Sequence, residues 1–251
     1  MTTPTPFRLS FTHALAVCGA LLTGVPVMTG AMAGPVSADE LESSIARGGR
    51  LYDKWYKVIK APKPEETHPA WPASNTKKKG DATQRCKACH GWDVMGKDGA
   101  YASGSYQTGI AGLQHMAGGS NDAVIAAITD STHGFGGKMD DQDYVDLANF
   151  VTKGQFPIDD FINRETKAAN GDIAKGEAYY NTVCANCHAK DGSEPKDMGT
   201  TLGTLSNKNP WEIIQKIMNG QPAENMPAMR AFGPQVSTDI LAYLQTLPLA
   251  E

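Results

Sequence analysis

The chain has 251 residues, with 23 Lys and Arg against 27 Asp and Glu, a formal net charge of −4. That length holds one large domain or two of ordinary size. A mildly acidic chain without an extended basic stripe excludes nucleic acid as a partner.

The amino terminus reads as an export signal. Arg8 is the only formal charge before Asp39, residues 14–28 are mostly apolar, and Ala31-Met32-Ala33 offers a small-x-small cleavage site before Gly34. Gly24 and Pro26 interrupt the apolar run, which is too short for a comfortable membrane span. A signal over residues 1–33 is expected to be cleaved, and loss of Arg8 takes the net charge from −4 to −5. Cys18 lies in the apolar run and leaves with the signal.

From Asp39 to about Lys60, Leu41, Ile45, Tyr52, Trp55, Tyr56 and Ile59 recur at helical spacing, with Gly48-Gly49 as a local weak point. Residues 61–85 carry Pro62, Pro64, Pro69, Pro72 and the run Lys77-Lys78-Lys79, and read as a loop. Then comes Cys86-Lys87-Ala88-Cys89-His90, followed by a glycine-rich loop to Ser120. Asn121-Asp122 is expected to cap a short helix over 123–130, with Val124, Ile125 and Ile128 inward. A second glycine-rich loop, 133–138, ends in Met139, and 140–151 returns to helix with Tyr144, Leu147, Ala148 and Val151 on one face.

After a linker the plan repeats. Residues 173–183 read as a helix leading into Cys184-Ala185-Asn186-Cys187-His188. A loop to Lys208 follows, then a helix opened by Asn209-Pro210 with Trp211, Ile214 and Ile217 apolar. A loop then carries Met226-Pro227, and a last helix spans 237–246. The sequence pairs Gly49-Arg50-Leu51-Tyr52 with Gly176-Glu177-Ala178-Tyr179, and Leu147-Ala148-Asn149-Phe150-Val151 with Ile240-Leu241-Ala242-Tyr243-Leu244.

Both five-residue motifs are C-x-x-C-H. Two cysteines at this spacing can form thioethers to one haem, and the histidine that follows becomes the proximal iron ligand. Zinc would need two pairs converging on one metal, and a thioredoxin-type pair would sit at a strand-to-helix turn. Four of the five cysteines are Cys86, Cys89, Cys184 and Cys187, so two haems consume every cysteine of the mature chain.

The order helix, C-x-x-C-H, loop, short helix, methionine loop and closing helix resembles a class I cytochrome c domain, present twice. The resemblance to a dihaem cytochrome c covers nearly all the chain after the signal. It implies an all-α fold of two tandem domains, each a few short helices wrapped around a covalent haem with long irregular loops. Domain 1 would span 39–155 with 61–85 as an insertion, the linker 156–171, and domain 2 172–251. Export then means the periplasm, where such attachment is completed.

The fifth iron ligands are expected to be His90 and His188. For the sixth, Met139 and Met226 stand in the loops before the closing helices, with His133 the rival to Met139 and Met229 the rival to Met226. Methionine closes the iron and raises its potential, which suits electron transfer. The leading expectation is an exported electron carrier, or the electron-accepting subunit of a dehydrogenase. Its partners would be redox proteins, with peripheral association to a membrane-bound respiratory complex. The alternative is a dihaem enzyme, peroxidase-like or thiosulfate-oxidising. Thiosulfate dehydrogenases typically use a further cysteine at the active haem, and this mature chain has none left.

Overall fold

The computed structural model describes residues 37–250, so the expected signal segment lies outside the described residues. Among the described residues every regular element is helical, and β pairing occurs only at the isolated bridges Gly96–Ala111 and Ile162–Ala169. None of the described helices is long and apolar enough to cross a membrane.

Helix α1 runs Ala38–Val58, opened by a capping box between Ser37 and Glu40. Its apolar face buries Ile45, Leu51, Tyr52, Trp55 and Tyr56. The backbone leaves helical geometry at Lys54 (φ −158°, ψ 73°), well after the glycine pair. Gly48 is where α1 crosses α4 (Asp141–Lys153), itself capped by an Asp140–Asp143 box. A Cβ on Gly48 would stand 2.0 Å from the Asp146 carbonyl oxygen and 2.8 Å from Phe150 Cβ. Only glycine permits so close an approach. In chain order α2 (Cys86–His90) and α3 (Asn121–Thr129) come between α1 and α4, and the cap of α3 is Ser120 rather than the expected Asn121.

The second half repeats this crossing. Helix α5 (Ile173–Tyr179) opens into a wider π-type turn at Tyr180–Cys184 and continues as α6 (Ala185–His188). Helix α9 (Gly233–Leu244) crosses α5 at Gly176, where a Cβ would stand 1.9 Å from the Asp239 carbonyl oxygen and 3.0 Å from Tyr243 Cβ. Gly48 therefore matches Gly176, Asp146 matches Asp239, and Phe150 matches Tyr243. The expected pairing of Leu147 with Ile240 keeps this register, whereas that of Gly49 with Gly176 is off by one. Tyr52 corresponds to Tyr180, not Tyr179, because their hydroxyls donate to the carbonyls of Gly91 and Ala189, both at 2.6 Å. Gly49 instead faces Asn219, whose side chain would meet its Cβ at 2.3 Å.

Helix α7 (Leu202–Lys208), capped by Thr201, occupies a stretch that the sequence reads as loop. Helix α8 (Pro210–Asn219) starts where expected, though the Asn209 side chain donates to Glu212 at 2.9 Å rather than accepting from backbone. Helix α9 begins at Gly233, ahead of the expected Ser237, with Pro234 in its first turn.

Apolar side chains gather in two clusters. The first holds Leu51, Tyr52, Trp55, Val94, Val124, Phe135, Leu147 and Phe150, with Cys86, Leu113, Met116 and Met139 packed against it. The second holds Tyr180, Leu202, Trp211, Ile214, Ile217, Met229, Ile240 and Leu241, with Cys184 and Met198 against it. Trp92 and Tyr101 from the first glycine-rich loop join the second cluster, as do Ile158 and Ile162 of the expected linker. The halves thus share apolar surface. Asp53, 3% exposed, ties them further by binding Lys216 Nζ at 3.0 Å and the Arg85 guanidinium. Arg50 also donates to the Asn219 carbonyl at 2.7 Å.

Candidate functional site

Helix α2 carries Cys86, Cys89 and His90 on a single turn and a half, held against α1 through Trp55 Nε1, which donates to the Gln84 carbonyl at 2.9 Å. His90 Nδ1 lies 2.8 Å from the Ala111 carbonyl oxygen. A carbonyl only accepts, so Nδ1 carries the proton and Nε2 keeps its lone pair. This is the tautomer that a metal ligand needs. The second motif repeats the device, with His188 Nδ1 donating to the Glu194 carbonyl at 3.0 Å. In both, the residue after the histidine is tied down by a tyrosine hydroxyl, Tyr52 or Tyr180.

Burial pushes the thiols up: Cys86 to about 12, and Cys89 and Cys184 each to about 11. A redox-active C-x-x-C pair needs the opposite shift, so these thiols are unsuited to disulfide exchange. Among the described residues no group of three or more His, Cys, Asp or Glu is placed to hold a metal ion, so the pairs do not converge as a zinc site requires. Haem fits instead. Cys86 and Cys184 each border a large apolar cluster, and each histidine points an unprotonated Nε2 away from its backbone partner.

The other expected ligands are placed unevenly. Met139 is half-buried against the first apolar cluster. Met226 is half-buried in the loop before α9, with its carbonyl packed near Gly220. Met229 is 8% exposed, built into the second cluster, and its N–H donates to the Ile217 carbonyl at 2.9 Å. It is a core residue. The Met95 sulfur meets the Arg164 guanidinium, and Met218 is buried at 2% exposure. His68 is buried with the opposite tautomer: Nδ1 accepts from Ala70 N–H and Nε2–H donates to the His133 carbonyl at 2.8 Å. Sequence reasoning did not foresee that contact across the loop.

Residues 171–244, which include the second C-x-x-C-H, match the family described as cytochrome C oxidase, cbb3-type, subunit III. The match supports a c-type cytochrome domain over these residues. A domain of that kind carries its haem covalently. The chain is also similar to the fructose dehydrogenase cytochrome subunit of Gluconobacter japonicus, at 31% identity over 143 residues. That match covers 52% of this chain and 28% of the relative, so the chain spans well under half of the relative's length. No solved structure matches.

Proposed function

We propose that the chain is an exported, periplasmic dihaem cytochrome c, built from two tandem domains, that accepts electrons from a partner dehydrogenase or relays them onward. The observation that carries the dihaem reading is the repetition of one histidine-holding device. Each C-x-x-C-H places a histidine whose Nδ1–H is spent on a backbone carbonyl, behind a tyrosine that fixes the next residue. When bound, haem supplies a one-electron iron couple.

Cys86 and Cys89 would attach one haem and Cys184 and Cys187 the other, with His90 and His188 as fifth ligands. Met226 is the sixth ligand proposed for the second iron, since Met229 is committed to the core. Met139 and His133 share the loop that faces the first. The relative's name, a dehydrogenase's cytochrome subunit, supports the partner reading. The partners are redox proteins, with peripheral association to a membrane-bound respiratory complex.

Six-coordinate irons exchange electrons with little ligand movement and exclude added ligands. The test is to reduce the purified protein and add carbon monoxide. Unchanged spectra of both haems support a carrier, and ready binding by either would point to substrate chemistry.

A further inference from the structure

His133 opposes His90. Their ring centroids are 6.3 Å apart and their planes are inclined by only 23°. Two imidazoles bonded to one metal at about 2 Å, with the radius of each ring added, place their centroids about 6 Å apart. His133 Nδ1 lies 3.2 Å from Asp130 Oδ1, a carboxylate that accepts, so its proton also sits on Nδ1 and Nε2 keeps a lone pair. Among the described residues neither His90 Nε2 nor His133 Nε2 has a hydrogen-bond partner. His115 stands instead on the exposed turn Gln114–Met116.

The loop is built to hold this ring. The backbone N–H groups of Thr132 and His133 both donate to Asp130 Oδ1 at 2.8 Å. Buried His68, from the 61–85 insertion, donates to the His133 carbonyl, and its ring packs on Phe135 with centroids 5.6 Å apart.

The repeat register agrees. With Asp146 matched to Asp239 and Phe150 to Tyr243, the offset between closing helices is 93 residues. Met226 then corresponds to His133, and Met139 to Phe232, a side chain 66% exposed. The ligand position of the second loop is thus occupied by histidine in the first.

We propose that His133, not Met139, is the sixth ligand of the first iron, and that His68 is a positioning residue for it. This rests on the reading of Cys86–His90 as a haem attachment, so covalent haem is counted first: fewer than two haems defeats that reading, whatever the ligands. With two haems present, the ferric protein should show one bis-histidine low-spin signal and one His/Met signal by electron paramagnetic resonance. That measurement needs no variant. The sulfur-to-iron absorption should have the amplitude of one methionine-ligated haem, unchanged in Met139→Leu, and roughly double in His133→Met. His68→Phe should broaden the bis-histidine signal and leave the His/Met signal intact. Two His/Met signals in the unmodified protein, or loss of half the sulfur band in Met139→Leu, would overturn the assignment.

Discussion

Replacing Gly48 by Ala tests the helix crossing around which the first half is assembled. The new methyl would lie 2.0 Å from the Asp146 carbonyl oxygen and 2.8 Å from Phe150 Cβ, so α1 and α4 must separate. Neither neighbour can swing away, because one is backbone and the other is the root of a side chain 1% exposed. Overpacking of this kind costs about 3 kcal/mol, the top of its usual range. Better helix propensity of Ala returns about 1 kcal/mol. The net expectation is a loss of about 2 kcal/mol, or roughly 4–8 °C in Tm for a chain of this size. Thermal unfolding of the haem-loaded protein, followed by circular dichroism, reads it directly. Gly176→Ala should behave alike, since its methyl would lie 1.9 Å from the Asp239 carbonyl oxygen. A neutral or stabilising result at either glycine would refute the close-crossing argument.

Asp53 is a buried carboxylate whose pKa is lowered because the Lys216 and Arg85 charges outweigh the effect of burial. Its contribution is present above the usual carboxylate pKa and lost as pH falls through the lower folded value. Asp53→Ala should cost about 3 kcal/mol at neutral pH by leaving the Arg85 guanidinium without its carboxylate, and urea titrations across pH should show the loss of that acid dependence. Lys87 lies over Trp92 and Tyr106, at 5.0 and 4.4 Å from the ring centroids, and burial depresses its pKa from 10.5 to about 7. Folding therefore strips its proton at a cost that grows as pH falls from 10.5 to about 7. Lys87→Met should stabilise the protein, with the gain rising over that window in denaturant titrations. Met226→Leu should abolish the sulfur-to-iron absorption of the second haem. Met229→Leu should leave that band in place and cost less than about 1.5 kcal/mol, as a volume-conserving core change.

What the sequence shows well is whatever is local. C-x-x-C-H is a five-residue pattern, and the apolar spacing of α1, α4 and α8 survives in the buried faces of those helices. Pro210 and the acidic first turn of α4 mark real starts. Helix α7 is not legible in the sequence because seven residues complete barely two turns, and Gly203, Thr204 and Ser206 give no apolar period. The two adjacent glycines allowed two repeat registers, which only the contacts at Asp146 and Asp239 decide. That Trp92 and Tyr101 cross to the second cluster depends on loop geometry that no periodicity encodes. The opposition of His133 to His90 is of the same kind. Its one sequence trace is that His133 precedes Leu147 by fourteen residues, as Met226 precedes Ile240.

The central claim is that both motifs carry haem. Covalent haem per chain, measured by pyridine haemochrome against protein mass in the mature protein and in a Cys86→Ala, Cys89→Ala variant, tests it most directly. The account predicts two haems falling to one in the variant. One haem in the unmodified protein, unchanged by the substitutions, would contradict it.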